Sequence, residues 1–287
     1  MKNILILLAH GSADRVEDIG DFVRSIRGGR PTSDAIIEDV QKKFVAIGGS
    51  PFNRIAQSIC DKLAARTGVA TVFATMRWHP RIDDVFARLH ADGFNAWTLL
   101  PLAPFSTHIY LRAAHESIAR MAIPNLRVSD VGAWNLHPPL LDTLTGSLLA
   151  ANPDAQTHVL FSAHSLPQIA IDKGDPYATL VTETAHAIVE RASLTSPWSI
   201  AYQSQGADGG NWLGPTIAQS IAQLDGVKKV LVFPIGFLSD HLETLYDLDS
   251  EAKQIIESRG LAYARVPALN DSDAMIHVLA ALVAHVD

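Results

Sequence analysis

THVLFSAHS, residues 157–165, echoes NILILLAHGS, residues 3–12: each is an apolar run that opens onto alanine-histidine. Within these runs, and in VLVF at 230–233, apolar residues occupy consecutive positions. Both faces of such a strand must be covered, which is the mark of a parallel sheet held between helices. Further short β-rich runs fall at 69–75, 95–101, 126–131, 197–203 and 262–266, with longer amphipathic segments between them. The alternation predicts an α/β fold.

The echo recurs further along each half. The third run leads into PLAPFSTH (101–108) and the seventh into PIGFLSDH (234–241), both reading Pro-x4-Ser-x-His. Four strands followed by four, with matching residues after the first and third of each set, predict a duplicated Rossmann-like half. The expected boundaries are 1–135, 136–270 and a last helix at 271–287 lying across the halves, with a cleft between them. The halves differ in one place. The segment between the first two strands of half one carries the extra stretch DFVRSIRGGRPTSDAIIEDVQKKFVAIGG. An insertion at the carboxyl end of a strand lies where α/β sheets bind ligands, so it reads as a lid or lip. Ser50-Pro51 and Gly214-Pro215 mark helix starts.

Composition narrows the chemistry. Apolar residues make up 48% and charged residues 18%, with a formal charge of −7. An acidic chain lacks the basic face that phosphates require, so cations rather than nucleic acid are the expected company. The single cysteine, Cys60, forms no internal disulfide and cannot by itself hold an iron–sulfur cluster. No apolar window reaches the length of a membrane span and the amino terminus lacks a signal core, which predicts a cytoplasmic protein. No Walker loop, G-x-G-x-x-G or G-x-S-x-G occurs.

The strand ends gather His10, His108, His164 and His241 along one rim. Each could equally cap a helix or satisfy a carbonyl. Asp240 and Glu243 have the spacing of a capping box. Glu243, Asp247 and Glu251 continue at i, i+4, i+8, three carboxylates on one helical face about 6 Å apart per turn. Like charges at that spacing repel, so stability alone does not select them. A row of hard oxygen ligands leading to an imidazole suits the passage of a divalent cation, with ferrous iron, cobalt and nickel as candidates. Asp249 lies off the row and reads as a solvated acid.

LFSAHSLP (160–167), GDPY (174–177), WLGP (212–215) and P-x-GF-x-SDHLETLYDLD (234–249) closely resemble the ferrochelatases, and the resemblance spans nearly the whole chain. EDIGDFVRSIRGGRP with AIGGSP resembles the porphyrin-binding lip of the short soluble bacterial members, expected at about residues 15–50. The resemblance implies a chelatase-like fold and insertion of ferrous iron into a porphyrin in haem biosynthesis. The substrate would be coproporphyrin III or protoporphyrin IX, with coproporphyrin III preferred. It implies catalytic roles for His164 and Glu243, facing each other across the ring, and a metal path through His164, Glu243, Asp247 and Glu251. The histidine would either remove pyrrole protons or ligate the metal. His10, Arg27, Arg30, Ser50 and Arg77 match porphyrin-contacting positions. Arg27 and Arg30 could instead be solvated lip charges, Ser50 only a helix cap, Arg77 the partner of a carboxylate, and Trp212 either core packing or a ring wall.

His10 departs from the pattern, standing where the similar members carry a tyrosine. AHGS also resembles the cobalt chelatases of sirohydrochlorin. The alternatives are therefore a cobalt or nickel chelatase of another tetrapyrrole, or a non-catalytic haem or metal carrier. No tightly bound cofactor, no iron–sulfur cluster and a monomer are expected.

Overall fold

The computed structural model describes residues 2–206 and 210–284. The chain divides into two compact units, Met1–Trp134 with Asn270–Asp287, and Asn135–Leu269.

In the first unit, β1 (Asn3–Ala9), β2 (Thr71–Thr75), β3 (Ala96–Pro101) and β4 (Arg127–Asp130) form one parallel sheet in the order β2-β1-β3-β4. Side chains alternate between faces along a strand. Ile4, Ile6 and Leu8 accordingly enter a cluster with Ile82, Val85, Phe86, Leu89, Trp97 and Leu99. Leu5 and Leu7 are buried on the opposite face. Consecutive apolar residues in β1 thus serve two cores. The stretch between β1 and β2 holds α1 (Ile19–Arg27), α2 (Asp34–Ala46) and α3 (Phe52–Thr67). After β2 come α4 (Ile82–Ala91) and, after β3, α5 (Thr107–Met121).

The second unit repeats the plan. After α6 (Pro138–Ala150), β5 (Thr157–His164), β6 (Trp198–Gln203), β7 (Lys229–Phe233) and β8 (Ala262–Arg265) pair in parallel in the order β6-β5-β7-β8. The order matches the first sheet strand for strand, and the expected duplication is the observed architecture. Between β5 and β6 stand only α7 (Gln168–Asp172) and α8 (Tyr177–Ala192), and α9 (Ile217–Ala222) precedes β7. Thr216 closes the amino end of α9 with a capping box to Gln219.

The segment after β7 departs from an ordinary helix. Glu243–Ala252 is a π-helix, continued by α10 (Lys253–Ser258). With i→i+5 hydrogen bonds, positions four and five apart flank one line along the helix, so a four-residue spacing still makes a row. Thr244, Leu248 and Ala252 form the buried row, and Leu248 and Ala252 pack with Leu160, Ala201, Val230 and Val232 of the sheet. The last helix, α11 (Asp273–Val283), packs on α3. Ser272 caps it, and Asp271 just before it binds Ser58 and Lys62 of α3.

Candidate active site

β5 connects to β6 on one side, while β7 lies on its other side, so the carboxyl ends of β5 and β7 flank the switch point of the second sheet. His164 is the last residue of β5. The loop after β7 folds back over it, and Gly236 makes that approach possible. The Gly236 amide donates to Ser162 O at 3.1 Å. A Cβ at 236 would stand 2.7 Å from Ala163 Cα and 2.8 Å from its Cβ. No residue with a side chain fits there without displacing backbone.

The same loop delivers Glu243 to His164: Nδ1 and Oε2 stand 3.0 Å apart. Both side chains are 34% exposed, so the pair is half-buried but reachable. An ionised carboxylate only accepts, which makes Nδ1 the donor and leaves the lone pair on Nε2. Burial by itself lowers the imidazole pKa, but the charge and hydrogen bond of Glu243, with Asp247 behind, outweigh it and raise His164 above its ordinary value. His241 goes the other way. Burial lowers its pKa and neighbouring His164 adds to that effect. Its Nδ1 accepts the Glu243 amide at 3.1 Å, so His241 serves the start of the π-helix as a neutral ring. Phe237 lies edge-on to both imidazoles, 6.3 Å from His164 and 4.8 Å from His241.

Three expectations change here. Asp240 is not the cap of this helix: Leu242 holds that position without a side-chain cap bond, the Glu243 amide goes to His241, and the Asp240 carboxylate pairs with Arg265. Asp249 is not a solvated acid, because Arg265 grips it through two hydrogen bonds at 2.8 and 2.9 Å and Tyr263 donates a third at 2.8 Å. Finally, His164 and Glu243 cannot stand on opposite faces of a macrocycle, since a 3.0 Å contact leaves no room for a ring between them. They stand on one side.

The acidic row runs outward from this pair. Glu243 and Asp247 are half-buried and Glu251 is exposed. Two residues at the end of β6, which spacing gave no reason to single out, hold the row: Gln203 Nε2 donates to Glu243 O at 2.8 Å, and Ser204 Oγ donates to Asp247 Oδ2 at 2.5 Å. Among the described residues, no three His, Cys, Asp or Glu side chains converge as a cage for one ion. His164 and Glu243 form a pair, with Asp247 and Glu251 following along the helix.

The sequence motifs explain one another at this end of the sheet. Ser165 Oγ donates to Leu213 O, and the Leu213 amide donates to Leu166 O, so the SAHSLP and WLGP stretches are laced together. Trp212 is half-buried, with its ring against Gly206, where a Cβ would collide. In GDPY, Asp175 accepts the Tyr177 amide at the start of α8.

In the first unit, His10 follows β1, with Nδ1 3.2 Å from Gly11 O and the ring edge-on to Phe22. Arg27, the last residue of α1, donates to Pro31 O at 2.9 and 3.1 Å, and Arg30 donates to Arg27 O at 3.1 Å. Arg27 is half-buried and Arg30 exposed, and their bonds stay within the stretch between α1 and α2. Ser50 Oγ accepts the Phe52 amide at 3.4 Å, a weak turn contact, while Pro51 takes the cap position of α3. Arg77 is half-buried, and its backbone is fixed by His10 and Ser25. His108 lies in the first turn of α5. Cys60 is fully buried, and burial pushes its thiol up to about 12, which withdraws it from metal chemistry.

The chain resembles known proteins in both sequence and fold. A family model described as ferrochelatase matches residues 2–286. The chain is 32% identical over 300 aligned positions to a ferrochelatase of Herpetosiphon aurantiacus, covering 98% of each protein. It is also 32% identical to a coproporphyrin III ferrochelatase of Anoxybacillus flavithermus, covering 97% of this chain and 94% of that protein. Among solved structures, SirB from Bacillus subtilis with Fe3+ has a TM-score of 0.61 at 12% identity, covering 99% of this chain and 95% of that one, a likeness of fold.

Proposed function

The chain belongs to the ferrochelatase family, and from that premise we propose how its own residues insert ferrous iron into a porphyrin. The enzyme is a metal-inserting lyase of haem biosynthesis. In the overall reaction two pyrrole N–H bonds break, two protons leave, and iron gains four nitrogen ligands while shedding water.

The observation that carries the residue assignment is the His164–Glu243 pair at the switch point, with carboxylates running from it to solvent. With Nδ1 donating to Glu243, Nε2 of His164 is the atom that meets the macrocycle or the iron. Taking a proton there creates an imidazolium that Glu243 stabilises, and the glutamate holds the ring in one orientation throughout. Because both groups act from one side, proton removal and metal handling share that side. Asp247 and Glu251 form the route outward, for hydrated iron arriving or protons leaving. A route needs ligands that release their cargo, and separated carboxylates suit it better than a closed cage.

His10, Arg27, Arg30, Ser50 and Arg77 are proposed to contact the porphyrin, the arginines and Ser50 through its carboxylates. Arg77 fits best. Its half-buried guanidinium has no hydrogen-bond or ion-pair partner among the described residues, whereas Arg27 and Arg30 are engaged with lip carbonyls. Coproporphyrin III, with four such carboxylates, is the preferred substrate over protoporphyrin IX, with two. Support comes from the coproporphyrin III ferrochelatase among the relatives. A monomer in the cytoplasm completes the proposal. Among the described residues no helix is long and apolar enough to cross a membrane.

Anaerobic assays with ferrous iron and each free-base porphyrin test this reading. Faster insertion into coproporphyrin III is expected, equal or reversed rates reject the preference, and no insertion into either rejects the activity. The acidic row has its own test. In Asp247→Asn with Glu251→Gln, the KM for iron should rise on the order of tenfold, since each lost charge weakens attraction to a divalent ion by about 1 kcal/mol near the surface. The KM for porphyrin should not move. An unchanged iron KM reduces the row to a solvated face.

A further inference from the structure

Arg265 is the last residue of β8 and pairs in register with Val232, close to where β7 ends and the loop toward Glu243 begins. Its side chain is only 13% exposed. Nε and Nη2 bind the two oxygens of Asp249, at 2.8 and 2.9 Å, the planar fork-to-carboxylate geometry that lysine cannot reproduce. Nη1 reaches Asp240 Oδ1 at 3.3 Å. One guanidinium therefore spans the loop three residues before Glu243 and the π-helix six residues after it. Tyr263, two residues earlier on the same face of β8, adds its hydroxyl to Asp249 Oδ1 at 2.8 Å.

A π-helix of ten residues is unusual, because i→i+5 turns occur mostly as single bulges inside α-helices. Such a segment keeps its geometry only if its surroundings hold it. Thr244, Leu248 and Ala252 seat one side of it by burial, yet burial of small and apolar groups fixes depth better than rotation. Directional bonds on both flanks of Glu243 fix rotation. We propose that Arg265, bridging Asp240 and Asp249, is a positioning residue for metal insertion: it sets the rotation of the π-helix so that the Glu243 carboxylate meets His164. Arg265 touches neither iron nor porphyrin in this scheme and acts through Glu243. The proposal rests on the ferrochelatase reading above.

Its test uses the full chain as wild type, Arg265→Lys, Arg265→Met and Tyr263→Phe. Divalent cobalt alone, followed by its visible absorption, reports assembly of the His164–Glu243 pair without turnover, and steady-state insertion gives kcat and the KM values for iron and porphyrin. Arg265→Met should weaken cobalt binding and lower kcat/KM for iron on the order of ten- to a hundredfold, as expected for a group misplaced by about 1 Å. Porphyrin KM should stay constant and Arg265→Lys should recover part of the loss. If Arg265→Met fails to fold, Arg265→Lys and Tyr263→Phe read the same constants with smaller shifts in the same direction. A purely structural arginine would lower the melting temperature while leaving cobalt affinity and iron kcat/KM unchanged in the folded variants, and that result overturns the proposal. Absence of insertion by the wild type would instead overturn the functional reading, and the cobalt arm would still test Arg265.

Discussion

His164→Ala is expected to remove iron insertion while leaving the fold intact, with kcat falling on the order of 100- to 10,000-fold, the range for a positioned proton-transfer group. The side chain is half-buried at a strand end rather than packed in the core, and it makes a polar contact with Glu243. Truncation therefore leaves a charged carboxylate with access to water instead of an apolar cavity. Circular dichroism and the melting temperature should stay close to wild type. Insertion within a few-fold of wild type would remove His164 from the mechanism.

The pair also fixes the sign of a pH effect. Because Glu243 raises the His164 pKa above the ordinary imidazole value near 6.5, the ring holds its proton to higher pH in the folded protein than unfolded. Its contribution to stability is complete below the unfolded value and fades as pH rises through the folded one. Catalysis by the neutral ring runs the opposite way. Insertion should fall as pH drops through the raised value, which puts the acid limb above the normal imidazole range. In Glu243→Gln the stabilising charge is gone while burial remains, so the limb should move to lower pH, and so should the His164 titration followed by NMR in metal-free protein.

Consecutive apolar residues and repeated Ala-His and Pro-x4-Ser-x-His motifs are local signals, which is why eight strands and a duplicated half were readable from the chain alone, while the strand order within each sheet was not. The same holds for the row at 243, 247 and 251. A four-residue spacing makes a stripe on an α- or a π-helix alike, so it revealed the face without revealing the type of turn. What local pattern could not show is pairing across sequence. Asp249 and Arg265 lie 16 residues apart and Asp240 and Arg265 lie 25 apart, so an acid that looked solvated was in fact gripped. The mutual position of His164 and Glu243, 79 residues apart, was open in the same sense. Matching motifs named the two residues; only the fold put both on one side. Gly236 did leave a sign, a glycine three residues beyond an apolar strand, where a close backbone approach is a standing reason for that residue.

That glycine gives the second large effect. Gly236→Val should cost both stability and turnover, because its first side-chain atom already lies 2.7 Å from Ala163 Cα, against backbone that cannot turn aside as a flexible side chain would. Overpacking of this kind costs about 1–3 kcal/mol. Relief has to come from the loop lifting off β5, which stretches the Gly236 bond to Ser162 O and carries Glu243 away from His164. A shift of about 1 Å at reacting groups can lower turnover about a hundredfold, so the activity loss should exceed what the fall in folded fraction explains. Gly236→Ala should do the same in smaller measure, since the conflict begins at Cβ. Gly146 in α6 is the control. A Cβ there meets nothing within 4 Å, and replacing a helical glycine by alanine gains about 0.5–1 kcal/mol, so Gly146→Ala should raise the melting temperature and leave insertion untouched. If folded Gly236→Val inserted iron at the wild-type rate, the loop would not need its close approach to β5, and the contact between Glu243 and His164 would lose its place as the centre of the reaction.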